Sequence, residues 1–212
     1  MYNYFPLGFA RSCLVVAAVS LLCSHSAAED KASDVLSSDR FPMDVGYKWI
    51  YEFGDKEVSF EVLSSEKIKR GHIFVVRRKI GDAAAVEFKL SVKDHGVYIH
   101  EEGKRKFSPP LRQFAFFARK GDIWKWSGTV DQKTEREEFT NLGVQKITVP
   151  AGTYSTIAVE QRNPKNLDGA TFWLADGIGV VKLAGKTESK PDDQGRVLVF
   201  VWQLKRFTKP NK

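Results

Sequence analysis

The sequence predicts an all-β fold with minor α content: a single curved antiparallel sheet, a half-barrel or open barrel of about ten to twelve strands. Three observations support this prediction. From Phe41 onward, apolar and polar residues alternate with a period of two. Gly, Asp and Asn interrupt the alternation at short intervals. No long segment after the first thirty residues repeats its apolar positions with the helical period of 3.6.

The strands follow one another along the chain. Residues 47–53 carry an aromatic side chain at every second position, and residues 58–62, 73–79 and 86–92 continue the alternation. An apolar face opposite a polar face indicates an antiparallel sheet with one hydrated surface. Later strands are predicted at residues 122–126, 135–139, 144–149, 153–161, 170–174, 179–183 and 197–207.

Two segments depart from the pattern. Residues 197–202 are apolar on both faces, which predicts a central strand or one that crosses the inside of the curved sheet. Residues 110–120 are the one candidate helix, because Leu111, Phe114, Ala115 and Ala118 could form a stripe. The chain shows neither an internal repeat nor a low-complexity linker, so residues 41–209 are predicted to form one β domain.

The first 28 residues have the composition of a secretory signal peptide. Arg11 precedes an apolar run at residues 13–23, and small residues at 26–28 predict cleavage after Ala28. Residues 29–40 are polar and predict a flexible leader. The protein is therefore expected to be exported, either to the periplasm or to the medium. The apolar run of 11 residues is shorter than a membrane-spanning helix, which needs about 20.

Cleavage at this site would remove both cysteines. A lipid anchor on Cys23 is disfavoured because the bulky Leu22 stands where a small residue normally precedes a lipid-modified cysteine. The mature chain would have 184 residues, 32 Lys and Arg, 26 Asp and Glu, a net charge of +6 and no thiol. It could not be a thiol protease, a disulfide oxidoreductase or an iron–sulfur protein.

Catalytic and metal-binding patterns are missing from the sequence. His95 and His100 are five residues apart, a spacing that directs them to opposite faces of a strand, so no metal site is predicted. There is no G-x-S-x-G elbow, and Gly177 and Gly179 are not followed by the start of a helix that could bind a dinucleotide. We therefore predict no catalytic residues, no cofactor and no enzymatic activity.

Basic clusters lie at residues 67–70, 77–79 and 104–106. An exported protein rarely meets nucleic acid, so nucleic-acid binding is not predicted. The clusters are consistent with charged turns that confer solubility, or with weak contact to an anionic membrane surface.

Aromatic residues are the most informative part of the composition, with 22 in the 184 residues after position 28. Large rings fill protein cores, but a curved sheet with a Phe-rich loop at its mouth can also line an apolar cavity. Both interpretations remain open from sequence alone. The candidate ligand-binding residues are Phe114, Phe117, Trp124, Trp126, Trp49 and Trp173.

Three segments resemble a family of exported bacterial proteins of unknown function. Residues 41–51 resemble the family's "FP…G…W.Y" opening strand. Residues 149–154 (VPAGTY) and 172–182 (FWLADGIGVVK) resemble its "VPAGTF…W.A.GVG.VK" core, and residues 121–128 (GDIWKWSG) agree with a tryptophan strand between the two. The resemblance implies a curved antiparallel sheet, similar in shape to the half-barrel carriers of lipids and lipoproteins in the periplasm. It supplies no catalytic residues.

Three hypotheses follow. The first is a non-enzymatic exported protein that binds an apolar or lipid-like molecule, or a partner segment, on its concave aromatic face. The second is an envelope structural or assembly protein that pairs with another envelope protein through an exposed sheet edge. The third is an envelope hydrolase that uses carboxylates from separate strands. The first is the prediction, and the other two remain alternatives.

Overall fold

A computed structural model describes residues 34–165, 168–187 and 198–210 of the chain. These residues form one short 3-10 helix (Ser38–Arg40) and twelve strands. The strands are β1 (Lys48–Phe53), β2 (Lys56–Ile68), β3 (Gly71–Ile80), β4 (Val86–Lys93), β5 (Gly96–Glu102), β6 (Arg105–Ala115), β7 (Ile123–Val130), β8 (Lys133–Val149), β9 (Gly152–Arg162), β10 (Gly169–Ala175), β11 (Gly179–Thr187) and β12 (Leu198–Thr208).

Each strand pairs antiparallel with its neighbours in sequence, and β1 pairs with β12, so the sheet closes into a barrel. The predicted all-β class and strand number are confirmed. Each of the described strands has two neighbours in this barrel, although β6 and β7 pair in register only at Phe107 and Ser108. Closure satisfies the backbone hydrogen bonds that an open edge would expose.

Alternation of side chains places an apolar residue of every strand in the core. Beginning with β1 and ending with β12, these buried residues are Trp49, Val58, Phe74, Leu90, Val97, Leu111, Trp126, Phe139, Ile157, Leu174, Val181 and Leu204. Two glycines allow tight contacts between neighbouring strands. A Cβ on Gly71 would lie 2.0 Å from the carbonyl oxygen of Val92, and a Cβ on Gly96 would lie 2.0 Å from that of Phe114.

The predicted helix at 110–120 is wrong. Residues up to Ala115 belong to β6, and residues 116 onward form a turn. The cause is an irregularity in the pairing of β5 with β6: Tyr98 is opposite Arg112 but Val97 is opposite Phe114. The extra residue puts Leu111 and Phe114 on the same side at a spacing of three, and that spacing imitates a helical stripe.

The last strand, β12, has neighbours on both sides, as predicted for a central strand, but one of its two apolar faces is exposed to solvent. β12 is paired on both sides, with β1 and β11. Its apolar side chains nevertheless face both ways, since Phe200 lines the interior whereas Val199 is 72% exposed.

The segment before β1 closes one end of the barrel. The amide of Leu36 donates to the carbonyl of Ala118 (2.9 Å), and the amide of Phe117 donates to that of Leu36 (2.7 Å). Leu36 and Arg40 are buried. Residues 34–40 therefore pack on the barrel, in contrast to the flexible leader predicted for 29–40.

The predicted signal peptide (1–28), its cleavage after Ala28 and residues 29–33 lie outside the described residues. The described part of the chain has no helix with the length and hydrophobicity needed to cross a bilayer.

Candidate ligand cavity

The barrel is not filled by its side chains. A cavity of about 460 Å³ remains inside it, within the range of about 300–1,000 Å³ that is typical of small-molecule sites. Most of its wall is aromatic or aliphatic, and the apolar side chains that line it are Phe41, Pro42, Met43, Trp49, Tyr51, Phe60, Val76, Phe88, Leu90, Ile99, Phe107, Leu111, Phe114, Ala170, Phe172, Val180, Leu183, Phe200 and Trp202.

The polar atoms of two wall residues are bonded to the backbone. Trp49 Nε1 donates to the carbonyl of Ile178 at 2.6 Å, and the Tyr51 hydroxyl donates to the carbonyl of Val180 at 2.7 Å. Burial raises the pKa of the Tyr51 phenol far above its usual range, so the group stays neutral. Both residues therefore contribute ring surface to the cavity rather than free hydrogen-bonding groups.

Aromatic rings pack on one another around this wall. The Phe60 ring lies 5.8 Å from that of Tyr51 and 5.9 Å from that of Trp202, between centroids. Phe114 lies 5.5 Å from Phe172. The indole Nε1 of Trp202 is buried and has no hydrogen-bond partner in the described part of the chain. Ring-to-ring contacts of this kind hold the wall in a fixed shape.

The end of the cavity opposite the N-terminal segment is charged. Here four side chains form a continuous ion-paired series, which we call the mouth network: Arg78, Glu102, Arg105 and Glu135. Glu102 contacts Arg78 (3.4 Å) and Arg105 (3.2 Å), and Arg105 also contacts Glu135 (3.4 Å). All four side chains line the cavity. The network joins β3, β5, β6 and β8 at the end where the hairpins β5–β6 and β7–β8 turn.

Glu137 lies beside the mouth network. Gln161 Nε2 donates to its Oε2 at 3.2 Å, and no Lys or Arg of the described residues forms an ion pair with it. Burial is the largest influence on this carboxyl and raises its pKa above the ordinary value of a glutamate. Glu137 also lines a second, polar cavity of about 490 Å³, together with Arg105, Glu135 and Gln161. The two cavities therefore meet at the mouth.

Of the six residues predicted to bind a ligand, Trp49 and Phe114 line the apolar cavity. The other four do not. Phe117 is in the turn after β6, is 67% exposed and has a positive φ of 70°. Trp173 is directed away from the cavity, where its Nε1 donates to Gln145 Oε1 (2.8 Å) and the Lys182 ammonium lies 5.0 Å from its ring centre.

Trp124 and Trp126, on β7, connect this strand to β6 through their side chains. Only Phe107 and Ser108 of β6 pair in register with β7. Beyond these pairs, Trp124 Nε1 donates to the carbonyl of Arg112 (3.1 Å) and Trp126 Nε1 to that of Pro109 (3.0 Å). The indoles thus supply donors where the backbone ladder is interrupted, and Trp124 also stacks on Phe139 at 5.5 Å.

Sequence reasoning missed the charged end of the cavity. Arg78 has the same strand parity as the buried Phe74 and Val76, and Glu135 and Glu137 have that of the buried Phe139. A charge at an inward-facing position is the signal that could have revealed them. Nothing in the sequence shows that these side chains meet, because they come from four strands.

The histidines do not form a site. His100 Nε2 shares a hydrogen bond with the buried Ser91 Oγ (2.9 Å), and burial lowers the pKa of His100. His95 is in the turn before β5. Within the described ranges, no group of His, Cys, Asp and Glu is arranged to hold a metal ion.

Comparison with known proteins gives the fold and little more. No protein-family model matches the chain, and no curated protein matches it. A putative lipoprotein from Parabacteroides distasonis has a similar structure, with a TM-score of 0.50 and 14% identity over 80% of this chain and 98% of that one. A putative exported protein with YmcC-like fold from Bacteroides fragilis has a TM-score of 0.48, with the same identity and coverage. At 14% identity the first likeness establishes a shared fold, so function must be argued from the cavity itself.

Proposed function

We propose that this is a non-enzymatic exported protein that holds an apolar or lipid-like molecule inside its barrel. The observation that carries the proposal is the apolar cavity of about 460 Å³, which ends at the charged mouth network. An empty cavity of this size among aromatic side chains costs stability, because its walls lack contacts on one side. A bound apolar chain would restore those contacts.

Export is supported by the composition of residues 1–28, which have an apolar run followed by small residues. The solved structure with the TM-score of 0.50 is itself described as a putative lipoprotein. Both points agree with a role outside the cytoplasm.

The other two hypotheses have less support. Pairing through an exposed sheet edge requires an unpaired strand, and each of the described strands has two neighbours in the closed barrel. A hydrolase of the predicted kind needs two available carboxylates, whereas Glu102 and Glu135 are each held by an arginine. Neither of these hypotheses predicts the enclosed apolar cavity.

Binding of an uncharged apolar fluorophore tests the proposal. N-phenyl-1-naphthylamine brightens in apolar surroundings, so the purified protein should give a saturable rise in its fluorescence. Ala170 lines the cavity, and Ala170→Trp should fill it and abolish the rise. Leu183→Trp, in the same wall, should act alike.

Ala184→Trp is the matched control. Ala184 follows Leu183 on β11, has the opposite parity and does not line the cavity, so its variant should bind the fluorophore as the parent does. Circular dichroism would establish that each variant keeps its sheet. The proposal is wrong if the parent shows no saturable binding, or if folded Ala170→Trp and Leu183→Trp bind as tightly as the parent.

A further inference from the structure

We infer that the molecule held in the cavity is a single-chain amphiphile with a cationic amine head, and that its ammonium contacts the Glu137 carboxylate at the mouth. This inference rests on the proposed function and specifies its ligand. It is argued from the two unlike ends of the cavity, the charges at the mouth, the position of Glu137 and the aromatic rings around it.

The two ends of the cavity fix the orientation of such a molecule. Phe41, Pro42 and Met43, from the segment that precedes β1, line the cavity at its closed end. Charged side chains line it at the other end. The lining of the closed end includes the uncharged Gln113, whereas the charged lining residues of the described chain are all at the mouth. A charged head would lose its hydration without compensation at the closed end, so the head lies at the mouth and the chain inside.

The mouth network is electrically balanced. Its two arginines are both engaged, Arg78 with Glu102 and Arg105 with Glu102 and Glu135. An anionic head would have to displace a carboxylate from an arginine and then lie beside the displaced acid. Repulsion between the anionic head and the neighbouring carboxylate opposes binding, so the network disfavours fatty acids and phosphate-bearing heads.

Glu137 lies at the mouth outside the ion pairs of the network, with Arg105 near enough to act on it as a charge. Its carboxyl is partly buried, receives one hydrogen bond from the Gln161 amide and forms no ion pair with the described lysines and arginines. It faces both the apolar cavity and the polar one. An ammonium placed there would gain a charge-assisted hydrogen bond and offset the cost of burying the carboxylate.

Aromatic rings near the mouth already accommodate a cation. The Arg78 guanidinium lies 4.8 Å from the centre of the Phe88 ring and 6.0 Å from that of Trp202. Phe200, which lines both cavities, adds a further ring at this end. Ring faces attract cations and repel anions, so this lining favours the same head group as Glu137 does.

Competition between amphiphiles of one chain length tests the inference. N-phenyl-1-naphthylamine would be bound to the full protein at neutral pH and displaced, below the micelle concentration, with dodecylamine, dodecanoate or dodecyl maltoside. Dodecylamine should displace it at the lowest concentration and dodecanoate at the highest. Glu137→Gln should lower the affinity for dodecylamine by roughly tenfold, the scale of one charge-assisted hydrogen bond. It should leave the affinity for dodecyl maltoside unchanged.

The control is Glu138→Gln. Glu138 is the next residue on β8 and pairs with Lys125 at 3.0 Å; its variant should bind all three amphiphiles as the parent does. The inference is overturned, and the proposed function kept, if the fluorophore binds but dodecanoate competes as well as dodecylamine. The inference is also overturned if Glu137→Gln binds dodecylamine as tightly as the parent does, or if Glu138→Gln loses as much dodecylamine affinity as Glu137→Gln. If the parent does not bind the fluorophore at all, the inference and the proposed function are both wrong.

Discussion

The Trp126 indole donates a 3.0 Å hydrogen bond to the backbone carbonyl of Pro109, across the seam between β6 and β7. The two strands share only two register pairs, at Phe107 and Ser108. The Trp126 ring also packs edge-on against Phe107, with 5.9 Å between the ring centroids, which holds the indole in place. Side-chain hydrogen bonds thus help to close the barrel where backbone pairing stops.

Trp126→Phe should therefore lower the free energy of unfolding by about 0.5–1.5 kcal/mol, the usual net contribution of one hydrogen bond, because this bond is only partly buried. Urea denaturation followed by circular dichroism would measure the change. Trp202→Phe is the matched control, because the Trp202 Nε1 is also buried but has no acceptor among the described residues. A loss in Trp202→Phe as large as that in Trp126→Phe would show that ring volume, not the hydrogen bond, matters at the seam.

The space that Trp126 occupies depends on Gly128. A Cβ built on Gly128 would lie 2.5 Å from Trp126 Cζ2 and 2.6 Å from the carbonyl oxygen of Ser108. Gly128→Ala should destabilise the protein by about 1–3 kcal/mol, because the indole or β6 must move. The thermal midpoint would report this loss. Ser127→Ala, at the exposed neighbouring position, should leave the midpoint within error; equal midpoints for both variants would contradict the steric argument.

Much of the barrel could be predicted from alternation alone, as the aromatic side of β1 illustrates: Trp49 and Tyr51 share one face in sequence and line the cavity in the structure. Alternation fails where a bulge adds a residue. The extra residue between Arg112 and Phe114 changed the spacing in β6 and made the segment look helical. Bulges arise from pairing with another strand, so a single strand's sequence does not reveal them.

The candidate site shows the same limit. Trp49 and Phe114 could be predicted as lining residues from their type and neighbourhood. Trp126 has the same type, but it bonds to a carbonyl at an interrupted ladder, a circumstance that depends on how β6 meets β7. The Arg78–Glu102 contact joins residues on strands that are not neighbours in the sheet. Such contacts follow from closure of the barrel and have no local sequence pattern.

The closed end of the barrel depends on a buried arginine. Arg40 Nη1 donates to the carbonyl of Leu174 (3.2 Å), and its Nε lies 3.2 Å from Asp176 Oδ1. Asp176→Asn would leave a buried guanidinium without its counter-ion, at a cost of about 3 kcal/mol. Arg40→Met fills a similar volume and leaves an aspartate that is 64% exposed and can be hydrated, so it should cost about 1–2 kcal/mol.

Urea midpoints of the two variants would test this order. Asp39→Asn, one residue before Arg40, is a suitable control, because the Asp39 contact to Gly177 is made through its backbone carbonyl, which the substitution keeps. A smaller loss in Asp176→Asn than in Arg40→Met would mean that the ion pair does not hold the N-terminal segment.

Glu137 should make the protein less stable as the pH rises. Its pKa is raised in the folded state, chiefly by burial, so between the ordinary glutamate pKa and the raised one the folded protein holds a proton that the unfolded chain has released. Stability therefore falls through that window, and above it the folded state carries the cost of a buried carboxylate. Glu137→Gln removes this cost and keeps an acceptor for Gln161.

The variant should consequently be more stable than the parent at about pH 8, whereas at about pH 4, near the ordinary glutamate pKa, the difference should shrink. Urea midpoints at the two pH values would measure it in the ligand-free protein. Glu138→Gln, which breaks the ion pair with Lys125, should not stabilise the protein at either pH. If the Glu137→Gln midpoint exceeds the parent's equally at both pH values, the gain comes from packing and not from the charge. If it is lower than the parent's at about pH 8, the Glu137 carboxylate has a stabilising partner in the folded barrel.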